Sequence, residues 1–157
     1  MTAEFNPELD LEVTRVIAAS PESVWQAWAD PARFEQWWVP APAVVRVIAM
    51  DLVPGGAFLT EFSEDGVEFA PQIAGSFLAV DPGERIVWTT ALLAGWRPAA
   101  DPFITGIITM EPHADGTFYR ARALHRDPAQ RQLHLDVGYY DGWGTVTEQL
   151  ARLVEAG

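Results

Sequence analysis

"VTRVIAASPESVWQAWADPARFEQWW" occupies residues 13–38. Together with the residues just before it, the stretch begins as an alternation. Leu9, Leu11, Val13 and Ile17 fall on one face, and Asp10, Glu12 and Thr14 on the other. Period two with one polar side is the pattern of a strand wetted on one face. Arg15 interrupts the apolar side and reads as one half of a structural ion pair, since an unpaired charge is rarely buried. At Ser20 the period changes. Ser20 followed by Pro21 is an N-cap with proline at the first helical position, and Glu22 adds negative charge where a helix dipole favours it. Val24, Trp25 and Trp28 then repeat at helical spacing. Asp30-Pro31 ends that helix and caps a second, short one that carries Glu35 early and Phe34, Trp37 and Trp38 at its far end. Pro40 and Pro42 stop it. Adjacent side chains cannot point the same way, so one of Trp37 and Trp38 anchors the short helix while the other borders a different place. The sequence leaves open which does which.

Outward from this stretch, residues 44–124 read as strands joined by tight reversals. "VVRVIAM", "AFLTEF", "QIAGSFLAV", "RIVWTTAL", "FITGIITME" and "TFYRARAL" are the strands, and "VPGGA", "SEDGV", "DPGE" and "HADGT" the turns. Short connections of this kind join antiparallel neighbours. Pro71 implies an edge or a bulge at the start of its strand. One longer break, residues 93–102, is a loop that carries Trp96. From "LDVGYYDGWGTVTEQLARLVEA" (135–156) the period is helical again. Trp143, Val146, Leu150 and Leu153 form a stripe that Tyr139 or Tyr140 extends, and Glu148 and Arg152 form an i, i+4 pair on the wet side.

This order predicts an α+β fold: a curved antiparallel sheet of about seven strands, two short helices after the first strand, and one long C-terminal helix. Residues 1–8 are expected to be a loose tail and 9–157 a single domain. One helix cannot cover the inner face of such a sheet, so elsewhere the sheet must either collapse onto the short helices or leave a hollow. On "TFYRARAL" the inward positions are Tyr119, Ala121 and Ala123, with Arg120 and Arg122 turned to solvent. Alanine at core positions leaves volume for a guest unless a bulky residue faces it. Gly138, Gly142 and Gly144, read as part of the last helix, each cost about 0.5–1 kcal/mol relative to alanine. They imply either close packing or room for that guest.

Composition narrows the classes. The 157 residues hold 22 acidic and 10 basic side chains, for a formal charge of −12. Such a surface repels phosphate backbones and anionic lipid, which argues against nucleic-acid or membrane partners. All the basic residues are arginine, so lysine Schiff-base and Walker-type chemistry is excluded. Without cysteine there is no disulfide framework or thiolate chemistry. No apolar run reaches a membrane span, and residues 1–10 lack the pattern of a secretory signal; the expected location is the cytoplasm.

The stretch 13–38, "DLVPGGAF" (51–58), "GSFLAVDPGERIVWT" (75–89), "DGTFYRARAL" (115–124) and "DGWGTVTEQLARL" (141–153) occur in this order. Together they resemble the heat-shock protein 90 ATPase activator-like branch of the START-like, or SRPBCC, superfamily, across about residues 9–155. The resemblance implies the helix-grip fold shared with the birch-pollen allergen, with a deep pocket between sheet and C-terminal helix for apolar or amphipathic small molecules. It sets the tryptophan pair and residues 39–43 near the pocket mouth, the 93–102 loop over the same end, and Trp143 on the helix that floors it.

Candidate ligand-binding residues are therefore Trp38, Phe58, Trp88, Trp96, Tyr119, Tyr140 and Trp143, with Thr60 and Thr90 as further polar groups. Trp25 and Trp28 read as core. His113, His125 and His134 read as solvated loop residues. The pairs His125–Asp127 and His134–Asp136 lack a nearby nucleophile, and no metal or cofactor motif accompanies them. Glu61 reads as solvent-facing. The leading function is a binding module for an apolar small molecule. A chaperone partner, which the family name suggests, is the second reading. The third is a cyclase- or hydrolase-like enzyme, which needs a buried ionisable group that the sequence does not display. The strand edge near "FAPQ" (69–72) would permit a homodimer.

Overall fold

Antiparallel neighbours follow one another along the chain from the second strand of the sheet to the last, and the last then pairs with the first. The computed structural model describes residues 4–157. Its main sheet contains β1 (Asp10–Ile17), β2 (Val44–Met50), β3 (Ala57–Ser63), β4 (Ala70–Asp81), β5 (Arg85–Thr89), β8 (Thr105–His113) and β9 (Gly116–Leu124). They are ordered β1-β9-β8-β5-β4-β3-β2. A two-residue pair, β6 (Leu92–Leu93) with β7 (Arg97–Pro98), stands outside it. The register shifts at Ile48 on β2 and at Gln72 and Leu78 on β4, so three bulges curve the half of the sheet formed by β2 to β5.

The helical entry follows its caps. In α1 (Pro21–Ala29) the Ser20 hydroxyl accepts from the Ser23 backbone N–H, and in α2 (Pro31–Phe34) the Asp30 carboxylate accepts from Ala32. Glu35 closes α2 rather than opening it, and its carboxylate accepts the Val47 N–H at 2.8 Å. Val24, Trp25, Ala27, Trp28 and Phe34 enter the core as their spacing requires.

The C-terminal region is two helices. Gly138, with φ +99°, breaks it into α3 (Pro128–Asp136) and α4 (Tyr139–Glu155). That backbone region is open to glycine and costly for other residues. Asp127 caps α3 by accepting from the Gln130 N–H at 2.8 Å. In α4 the inward stripe is Tyr139, Trp143, Val146, Leu150 and Val154, with Thr147 and Ala151 beside it. Glu148 does not pair with Arg152 through side chains. It takes Arg15 of β1 in a two-point contact of 2.8 and 3.1 Å, and Glu155 adds a third at 3.5 Å. Arg15 thus fastens α4 to the sheet.

One surface expectation needs correction. Arg122 is buried rather than solvated, with its Nε 2.6 Å from Glu12. The first three residues of the expected tail lie outside the described residues. Within the rest of it, Asn6 donates its N–H to Asp10, and the Phe5 ring lies under the Arg122 guanidinium.

Candidate functional site

Between the concave face of the sheet and α4 lies a partly open cavity of about 260 Å³. Its sheet side carries Trp88, Ile108, Tyr119 and Ala121; its helix side carries Gly142, Trp143, Val146 and Thr147. Trp28, Trp37, Trp38 and Pro40 close one end, and Phe103, Ile104 and His134 another stretch of wall. The lining is apolar, with Gln72, Tyr119, His134 and Thr147 as the polar exceptions.

Several local choices keep this space open. A Cβ built on Gly142 would meet nothing within 4 Å, and the same holds for Gly144, which lies outside the cavity wall. Close packing therefore does not explain these glycines. Ala121 lines the cavity, whereas Ala123 packs with Leu11, Tyr139 and Trp143. The facing-residue possibility thus holds at Ala123 and not at Ala121. Trp88 stands opposite Gly106 across the β5–β8 ladder. A Cβ on Gly106 would collide with the Trp88 indole, so the absent side chain lets that ring lie flat against the sheet.

Three of the lining tryptophans are tied down through their indole N–H groups, whereas Trp88 Nε1 is buried with no hydrogen-bond partner among the described residues. Trp28 Nε1 donates to the Tyr119 hydroxyl at 3.1 Å, and Trp37 Nε1 to the Ala27 carbonyl at 2.9 Å. Trp38 Nε1 donates to Gln72 Oε1 at 3.1 Å, an oxygen that also accepts from Thr60 at 2.8 Å. Gln72 is the extra residue of the β4 bulge, and the bulge aims its amide at the cavity end. From α4, Gln149 donates to the Trp37 and Val39 carbonyls and accepts from the Ala41 N–H, all within 3.0 Å. It pins the proline-broken segment whose Pro40 reaches the cavity. Trp37 and Trp38 both line the space; Trp37 is fully buried and Trp38 half-buried beside Gln72.

Of the seven candidates, the structure brings together Trp38, Trp88, Tyr119 and Trp143. Phe58 is wholly buried behind them, stacked on Phe77 at 4.8 Å and edge-on to Trp88 at 5.3 Å. Tyr140 is exposed, one helical step away from the inward stripe that Tyr139 occupies. Trp96 is exposed as well, with φ +66°, and its ring covers Gly55 instead of closing the cavity. Thr60 and Thr90 spend their hydroxyls on Gln72 and on the 103–104 backbone. Glu61 pairs with Arg46 at 2.7 Å on the outer face.

The histidines depart most from expectation. His125 and His134 are both buried, with His125 Nε2 2.8 Å from His134 Nδ1 and His125 Nδ1 2.7 Å from the Leu9 carbonyl. Neither uses its neighbouring aspartate. Asp127 caps α3 and Asp136 accepts from Gln132. His134 lies on the cavity wall against Phe103, Tyr139 and Trp143. Desolvation, with His125 adding to it, holds its pKa down to about 4. The cavity does contain a buried ionisable group. Asp127-Pro128 repeats the cap-plus-proline signal read at Ser20-Pro21 and Asp30-Pro31, and it would have placed His134 on a helix. Burial also raises the Tyr119 hydroxyl above its usual range. Among the described residues no cluster of histidine and carboxylate could hold a metal.

The model of the family described as Activator of Hsp90 ATPase homolog 1-like protein matches residues 18–155. The chain belongs to this family. Among solved structures, a Nitrosomonas europaea protein is 36% identical, over 97% of each chain, with a TM-score of 0.90. A Chromobacterium violaceum protein is 29% identical over 93% of this chain and 97% of its own, at TM-score 0.73. One from Mycobacterium smegmatis is 26% identical over 93% and 90%, at 0.78. No curated protein matches. As an activator-of-Hsp90-ATPase-like chain it has the helix-grip architecture, and among its described residues no helix is long and apolar enough to cross a membrane.

Proposed function

We propose that this protein holds an apolar or amphipathic small molecule in the cavity between sheet and α4, in the cytoplasm. The observation that carries the reading is the unfilled space between Ala121 and Gly142. Cores pack to crystal-like density, so a void walled by tryptophans beside a helical glycine sacrifices stability that a larger residue would supply. A concave, mostly apolar site with few polar groups is the usual form of a small-molecule pocket. Trp38, Trp88, Tyr119 and Trp143 contact the guest; Phe58 supports them from behind, and Trp96 and Tyr140 are left out. Native mass spectrometry of freshly purified protein reveals a retained guest. Saturation-transfer NMR with naphthalene as the probe gives a signal in the natural protein and none in Ala121→Leu, whose added side chain fills the space. Equal signals from both proteins would contradict the reading.

A chaperone partner is the second reading, supported by the family's description. It predicts that the protein stimulates a heat-shock protein 90 ATPase, and that filling the cavity leaves the stimulation intact. Absence of stimulation at high protein concentration refutes it. The "FAPQ" stretch offers a homodimer no free sheet edge, since β4 pairs with β3 from Ala70 onward, lies beside β6 on its other side, and the edge strands of the sheet are β1 and β2. His134 supplies the ionisable group an enzyme would need, but no nucleophile adjoins it among the described residues, and binding accounts for the cavity without one.

A further inference from the structure

The histidine pair fixes the role of one of the polar groups that the cavity offers. A carbonyl oxygen accepts and cannot donate. The 2.7 Å contact of His125 Nδ1 with the Leu9 carbonyl therefore places the His125 proton on Nδ1. Its Nε2 is then an acceptor when the ring is neutral, so at 2.8 Å the proton between the rings belongs to His134 Nδ1. With that nitrogen protonated, neutral His134 keeps a lone pair on Nε2. This nitrogen takes no protein partner among the described residues, and it is the nitrogen left to a ring that forms part of the cavity wall. Leu9, His125 and His134 form a relay in which every proton position follows from one backbone carbonyl.

We infer that the cavity recognises a neutral aromatic or polycyclic guest bearing a hydroxyl group, which donates its hydrogen bond to His134 Nε2. The inference rests on the small-molecule reading above and adds the chemical class of the polar end. Size limits the guest to a few fused rings, because the space is about 260 Å³. The low pKa of His134 keeps it an acceptor at neutral pH. A carboxylate is disfavoured on two counts. It would set its own lone pairs against that of Nε2, and no arginine lines the cavity to neutralise it. The overall charge of −12 opposes its approach as well. A pure hydrocarbon fits the tryptophan walls but leaves the His134 acceptor desolvated and unpaired, a loss comparable to a missing hydrogen bond.

The test compares 2-naphthol, its near-isostere 2-methylnaphthalene, and 2-naphthoate, with affinities measured by ligand-observed NMR in the natural protein and in His134→Phe. The substitution should weaken 2-naphthol about tenfold, the equivalent of one hydrogen bond, and leave 2-methylnaphthalene within about twofold. In the natural protein 2-naphthoate should bind more weakly than 2-naphthol. Imidazole ¹⁵N NMR of the natural protein reads the same contact without any variant: the His134 Nε2 resonance moves with 2-naphthol and not with 2-methylnaphthalene. Equal weakening of both neutral probes, a static Nε2 resonance, or preferential binding of 2-naphthoate would each overturn the inference while leaving an apolar cavity standing. Failure of all three probes to bind would overturn the small-molecule reading and this inference with it.

Discussion

Gly142 and Gly106 do opposite work on the same space, and each makes a prediction. Gly142 sits within α4 with nothing near its missing Cβ. Gly142→Ala should therefore raise stability by about 0.5–1 kcal/mol, since helix propensity improves and nothing collides. Chemical denaturation measures the gain, and it should come with weaker guest binding as the methyl enters the cavity. Gly106 lies under the Trp88 indole. Gly106→Ala should cost about 1–3 kcal/mol by overpacking. It should also swing Trp88 into the cavity, which its fluorescence maximum would report. The inward register of Tyr119 and Ala121 was legible from simple alternation on "TFYRARAL". Which alanine faces empty space was not, because Ala123 is covered by Tyr139 from a helix more than a dozen residues away in sequence.

At the scale of elements, the two helices after β1 and the antiparallel run from β2 to β9 followed from caps, prolines and turns, all of them local signals, whereas the pairing of β1 with β9 is long-range and no turn announces it. The division of the C-terminal region into α3 and α4 rests on a signal equally local, Asp127-Pro128 at one end and Gly138 at the other. Helical periodicity across 135–156 conceals it, since the stripe from Trp143 onward is the same in either reading. The buried histidine pair follows from that division: once 128–136 is a helix, His134 turns toward the cavity instead of solvent. Gln149 illustrates what periodicity cannot carry. A polar residue on the flank of α4 looks solvated in sequence, yet it holds three backbone groups of residues 37–41. Gln149→Ala should loosen that segment and cost about 1–2 kcal/mol, with faster amide exchange at Ala41 and little change elsewhere.

For the whole molecule, the cavity couples to pH through His134. Its folded value is about 4, against 6.5 for the unperturbed group. Between those values the unfolded chain binds a proton that the folded one does not. Stability therefore falls as pH drops from about 6.5 to about 4, and this group adds no further loss below that window. The rings facing His134 are His125 from the link after β9, Phe103 from the link before β8, and Tyr139 and Trp143 from α4. Comparing denaturation midpoints of the natural protein and His134→Gln across that window isolates its contribution from that of the many carboxylates; the variant should show the shallower slope. The central claim is the void itself, an apolar space held open between β9 and α4. Crystals pressurised with xenon test it most directly, because apolar cavities admit xenon without needing a polar partner. The account predicts a xenon atom bounded by Ala121, Gly142 and Trp143. Unbroken side-chain packing across that space, with no xenon in it, would contradict it.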